Sequence, residues 1–112
     1  MKMKAASAKD SLSGKARRHL RALGHHLRPV ILVGKDGVTA GLVAATATAL
    51  DDHELIKVKL GERSDGAPDD LAESLAVATQ SALVGRVGRT ALFYRRHPDR
   101  PRIVLPKTQR KQ

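Results

Sequence analysis

The chain has 112 residues, enough for one domain with one modest core. Its 21 Lys/Arg against 11 Asp/Glu leave a formal charge of +10, which favours a polyanion as partner: nucleic acid first, an anionic membrane surface second. There is no cysteine, which excludes disulfide frameworks and thiolate zinc sites, and no apolar run reaches transmembrane length.

The charge is unevenly spread. Residues 1–35 hold nine Lys/Arg against Asp10, a balance of +8; residues 36–80 hold three against nine acidic residues, −6; residues 81–112 hold nine against Asp99, +8. An acidic middle between two basic ends implies that the ends meet on one face. The N-terminal lysines precede no apolar segment, so no signal peptide is expected.

Taken in order, residues 1–10 are Lys- and Ala-rich without pattern and read as a disordered basic arm. Ser11 or Ser13 can cap a first helix running to about His25. Its apolar residues Leu12, Ala16, Leu20, Leu23 and Leu27 share a stripe of roughly 80° at 100° per residue. Arg17, Arg18 and Arg21 fall opposite. They have no acidic neighbour at helical spacing, so they read as a binding face rather than a salt-bridged one.

Pro29 opens a strand, and Val30 to Val33 is apolar without alternation, as in a strand buried on both faces or central in a sheet. Gly34-Lys35-Asp36-Gly37 then makes a tight loop, and Thr39 is the candidate N-cap of a second helix. A strand, a glycine turn and a helix start together aim free backbone N–H groups and the positive helix end forward, a geometry suited to phosphate. Lys35 adds a full charge at the tip. The second helix buries Leu42, Val43, Thr46, Ala49 and Leu50. It should stop at Asp51-Asp52, whose charges the helix C-terminus disfavours.

Residues 54–60 alternate, with Ile56, Val58 and Leu60 on the core side and Lys57 and Lys59 in water. Pro68 suits the first turn of a third, acidic helix that buries Leu71, Ala72, Leu75, Ala78 and Thr79 and faces away from any polyanion. Residues 83–87 and 90–95 read as a hairpin turning at Gly88-Arg89 and carrying Arg86, Arg89, Arg95 and Arg96. From His97 onward a basic tail is interrupted by Pro98, Pro101 and Pro106, with Ile103–Leu105 as a candidate edge strand. The expected fold is a two-layer α/β domain over residues 11–96, ordered α-β-α-β-α-β-β, with a mixed four-stranded sheet.

The loop is neither a Walker A sequence nor a dinucleotide fingerprint, because the glycine spacing and the following residues differ. His19, His25 and His26 lack companion ligands for a metal; His25 reads as a helix end or a phosphate contact. Asp51, Asp52 and Glu54 around His53 read as a helix end and strand start, and no nucleophile–base–orienter set is visible. Phe93 and Tyr94 are the only aromatic residues besides histidine, which excludes recognition by rows of stacked bases.

Three segments together resemble the CRM domain family (chloroplast RNA splicing and ribosome maturation), in particular its stand-alone bacterial YhbY-type members. They are R-R-H-L-R-A-L-G-H-H-L-R-P-V-I-L-V-G-K-D-G-V-T-A-G from Arg17, L-D-D-H-E-L-I-K-V-K from Leu50, and V-G-R-T-A-L-F-Y-R from Val87. R-I-V-L-P-K from Arg102 is similar to the tails of such proteins. The resemblance implies a fold like the C-terminal domain of translation initiation factor three, RNA binding, and association with precursors of the large ribosomal subunit. It maps the family loop onto Gly34, Lys35, Asp36 and Gly37 and the basic helix onto Arg17, Arg18 and Arg21. Two departures are Gln80, where a turn glycine is usual, and Gly85, where a polar side chain is usual.

The expected function is therefore backbone-directed binding of ribosomal RNA in large-subunit assembly, with general DNA or nucleoid binding as the alternative. The expected contacts are Arg17, Arg18, Arg21, His25, Arg28, Gly34, Lys35, Asp36, Gly37, Thr39, Arg86 and Arg89. No catalytic residue, metal, cofactor or membrane partner is expected, and the chain is expected to act as a cytoplasmic monomer.

Overall fold

The computed structural model describes residues 12–62 and 66–106; the expected basic arm, residues 1–10, and the end of the tail, residues 107–112, lie outside the described residues. Among the described residues the elements are α1 (Gly14–Gly24), β1 (Pro29–Val33), α2 (Ala40–His53), β2 (Leu55–Leu60), α3 (Pro68–Thr79), β3 (Ala82–Val87) and β4 (Thr90–Tyr94), in the expected order. The strands form one mixed sheet in the spatial order β1-β2-β4-β3. β1 and β2 are parallel, with Leu32 opposite Lys59; β4 runs antiparallel to β2 on one side and to β3 on the other. β2 and β3 thus point the same way, but β4 lies between them, so only the first strand–helix–strand unit closes on adjacent parallel strands.

The alternation in β2 decides the packing. Ile56, Val58 and Leu60, with Val33, Ala91 and Phe93 beside them, meet Leu50 of α2 and Leu71, Ala72, Leu75 and Ala76 of α3. α1 lies on the other face, where Leu20 packs on Leu55, Val84, Leu92 and Tyr94, with Leu12, Ile103 and Leu105 alongside. Ser13 caps α1 by accepting the Ala16 N–H at 3.0 Å. At the far end of α1, Gly24 lies so close to the sheet that a Cβ would come within 2.6 Å of Leu92 Cδ1 and would force the Leu92 side chain to shift.

Several boundaries differ from the sequence reading, each for a tertiary reason. α2 runs on to His53 because Arg95 answers its acidic end, donating to the Ala47 carbonyl at 3.1 Å and to the Asp51 carboxylate at 2.7 Å. The same guanidinium donates to the Thr79 carbonyl, closing α3 as well. β1 is an edge strand rather than a central one: α1 packs over β2, β3 and β4 and leaves β1 uncovered, so Val30 and Leu32 are 52% and 60% exposed. On α3, Ala76 is buried and Ala78 faces out. Ile103–Leu105 forms no strand and packs as irregular chain against the α1 face.

That tail is held by Glu54. The residue is fully buried, with φ +65°, and its carboxylate accepts the backbone N–H groups of His97, Arg102 and Ile103, each at 2.8 Å. Burial pushes its pKa up, but the three N–H donors and the nearby Arg102 charge outweigh this and hold it below the ordinary carboxylate value.

Candidate nucleic-acid interface

The glycine loop leaves the sheet at the end of β1. The Gly37 N–H donates to the Gly34 carbonyl at 3.0 Å, making residues 34–37 a β-turn, and Gly37 takes φ +73°. The Thr39 N–H donates to the Gly37 carbonyl at 3.1 Å. The Thr39 hydroxyl in turn accepts the Leu42 N–H at 3.1 Å and starts α2. Within the described residues the N–H groups of Lys35 and Asp36, and of Ala40 and Gly41 in the first turn of α2, find no protein acceptor. A Cβ built on Gly34 would meet nothing within 4 Å, so the bare α-carbon serves no packing need and leaves the approach to the loop open. Lys35 and Asp36 are exposed at the tip.

Beside the loop lies the half of the sheet that α1 does not cover. Pairing registers place Leu32, Lys59, Thr90 and Val87 in one row across the four strands, with Lys57, Leu92 and Gly85 in the next. This face is apolar and basic at once: Leu32 and Val87 (84% exposed) flank the exposed Lys59. Arg21 and His25 enter from the C-terminal end of α1, and the Arg21 stem lies over Gly85, with its Cδ 3.4 Å from where a Cβ would sit. The His25 ring meets His26 edge to face at 5.4 Å. Arg18 is exposed on the outer side of α1.

Other expected residues have structural duties. Arg17 donates to the Leu83 carbonyl at 3.0 Å, pinning α1 to β3. Arg86 pairs with Asp69 of α3 at 2.6 Å and also donates to the Gly88 carbonyl; its register partner Ala91 puts it on the α2/α3 side of the sheet. Arg89 donates to the carbonyls of Leu60 and Gly61 at 2.9 and 2.8 Å, fastening the hairpin to the end of β2. Thr39 spends its hydroxyl on the helix cap. Arg28 is exposed just before β1, about 16 Å of strand away from the loop. The loop, Arg21 and His25 therefore converge on the open sheet face, whereas Arg28, Arg86 and Arg89 point elsewhere or inward. Lys57 and Lys59 are absent from the expected contacts although they sit at the centre of this face. Their signal is the β2 alternation itself, once α1 is known to lie on the same side as the lysines.

Asp51, Asp52 and Glu54 do not converge: Asp51 pairs with Arg95, Asp52 is exposed, and Glu54 is buried under the tail. Among the described residues, no three His, Asp or Glu side chains are placed to hold a metal, and no helix is long and apolar enough to cross a membrane.

The fold and surface define a single α/β module that presents a strand–turn–helix junction beside a cationic sheet face. The model of the CRS1/YhbY (CRM) domain matches residues 12–95, and the chain belongs to this family. It is 41% identical over 90 residues to a probable RNA-binding protein of Pseudomonas aeruginosa, covering 79% of this chain and 85% of the relative. It is 38% identical over 95 residues to the probable RNA-binding protein YqeI of Bacillus subtilis, covering 85% and 99%. The solution structure of a hypothetical protein from Staphylococcus aureus superposes with a TM-score of 0.73 at 35% identity, covering 85% of this chain and 99% of that one.

Proposed function

We propose that the chain binds RNA through its phosphate backbone and acts on ribosomal RNA in precursors of the large ribosomal subunit, as a monomer in the cytoplasm. The observation that carries this reading is the set of unpartnered N–H groups at residues 35–36 and 40–41, which open beside Lys59, with Lys57 further along the same strand face. Both features call for anionic oxygens in a row, and the relatives named as RNA-binding proteins support RNA as their source. Lys35 and the turn amides grip one phosphate; Lys59, Lys57, Arg21 and Arg18 neutralise others along the strand. Asp36 is suited to accept a hydrogen bond from a ribose 2′-hydroxyl, the group that separates RNA from DNA. Arg17, Arg86, Arg89 and Thr39 hold the surface in shape.

Contacts to about five phosphates give a log–log salt slope of about −3.5 to −4.5 for RNA affinity. An affinity indifferent to salt overturns the reading. Duplex DNA competing as well as A-form RNA at fixed salt would turn it towards general nucleic-acid binding. Sedimentation of tagged protein from lysate, with sequencing of the bound RNA, is expected to place it with large-subunit precursors.

A further inference from the structure

The open face contains a hollow that the phosphate grip leaves unexplained. It lies between the C-terminal end of α1 and the β2, β4 and β3 strands, has a volume of about 730 Å³, and is lined by Arg21, Gly24, His25, Lys57, Gly85 and Thr90, with Leu92 in its floor. We propose that it receives the base of one unpaired RNA nucleotide, whose neighbouring phosphates are held by Arg21, His25 and Lys57. The inference rests on the RNA-binding reading above and adds to it a class of substrate: RNA with a bulged or looped-out residue.

The lining carries two chemistries, and a nucleotide has both. Among the described residues no acidic side chain lines the hollow. Arg21, His25 and Lys57 have no ion-pair partner among the described residues, whereas the charge of Arg86 is spent on Asp69. A bare phosphate would satisfy these cations, but it would leave the exposed Val87 and the open edge of Leu92 in water. A paired base stays in its stack and cannot enter; a base splayed out of a bulge can, and its edge then meets the Thr90 hydroxyl. The volume lies within the range of about 300–1,000 Å³ typical of small-ligand sites.

The glycines explain why the hollow stays empty of protein. A Cβ at Gly85 would only touch the Arg21 stem, at 3.4 Å from its Cδ, whereas a longer side chain there would project into the space beneath the arginine. Its guanidinium plane is then available, beside the His25 ring, as a stacking surface in a site lined by no Phe, Tyr or Trp. The departure of Gly85 from the family pattern thus coincides with the wall of the hollow. Two strand spacings of about 4.8 Å separate β1 from β4, and the Lys57–Leu92 row lies level with Pro29, about 13 Å along β1 from the loop, so a strand held at the loop reaches the hollow within a few nucleotides.

The test uses the full chain and two RNA hairpins that differ only in whether a single 2-aminopurine is bulged or paired. Binding of the bulged hairpin should change the 2-aminopurine emission and be about tenfold or more tighter than that of the paired one. Gly85→Val, which fills the hollow, and Arg21→Ala combined with Lys57→Ala, which strips its rim, should each bring the ratio of the two affinities close to one. Lys35→Ala should weaken both hairpins and keep the ratio. The two altered residues of the rim variant are at the surface, so that variant decides the question even where Gly85→Val fails to fold. Equal affinity of the unaltered chain for both hairpins, with unchanged emission, overturns the hollow and leaves RNA binding standing. Binding to neither overturns both.

Discussion

Two residues show how backbone conformation reports on function and on history. Gly37 sits at φ +73° in the turn that carries the free amides, and Gln80 sits at φ +55° in the left-handed cap of α3. The first is met by glycine, the second is not. Gln80 was legible in the sequence as a departure from the family pattern, and the structure supplies the reason glycine is usual there. Gln80→Gly is expected to stabilise the fold by about 0.5–1 kcal/mol, the relief of left-handed strain less the entropy of glycine, measured by urea unfolding. In the loop, Lys35→Ala with Gly37→Asp should abolish RNA binding while the protein stays folded. Aspartate tolerates the left-handed region at about 1 kcal/mol, and the added carboxylate faces the phosphate. A folded double variant that binds RNA undiminished would move the site off the loop.

At the scale of elements, sequence periodicity was a reliable guide where a segment has one wet face and a poor one where distant residues decide. The leucine stripe of α1, the alternation of β2 and the Pro68 start of α3 are local signals, and each element formed, although α1 buries only Ala16 and Leu20 of its stripe, while Leu23 is exposed and Leu27 lies exposed beyond the helix end. The run Val30–Val33 could not reveal an edge strand, because exposure of Val30 and Leu32 depends on how far α1 reaches across the sheet. The end of α2 depends on Arg95, and the fate of the tail on Glu54, both remote in sequence from what they fix. For the site, the glycine loop and Arg21 were legible; Lys57 and Lys59 were visible only as the wet side of a strand.

The Glu54 clasp gives the tail a pH-dependent hold. The folded pKa is lowered from the ordinary 4.5, so the stabilisation is complete above about pH 4.5 and is lost as pH falls through the folded value. Glu54→Gln replaces a charged acceptor of three N–H bonds with an amide that can accept at one oxygen only, at a cost of about 2–3 kcal/mol. The expected signs are faster tryptic cleavage after Arg102 near neutral pH, and loss of the stability decline expected of the unaltered protein below about pH 4.5.

Among the described residues the sheet separates an acidic side from a basic one. Asp69 and Asp70 lie at the start of α3 and Asp51 and Asp52 at the end of α2, all on one side. Arg18, Arg21, Lys57 and Lys59 lie on the other. These acids at the ends of α2 and α3 thus face away from the lysines of β2, an arrangement suited to orient an approaching polyanion before any contact forms. If the basic half is the binding half, charge changes on the two sides must differ in effect. Lys57→Ala with Lys59→Ala removes two phosphate contacts and should lower the magnitude of the salt slope by about 1.4–1.8, with weaker binding at every salt concentration. Asp70→Ala, on an exposed acid of the opposite face, changes net charge in the other direction and should leave the slope unaltered. Filter binding of one RNA hairpin across a salt series measures both. Equal slopes for the lysine variant and the unaltered chain would place the phosphate track away from β2 and return the basic residues of the sheet to a solvating role.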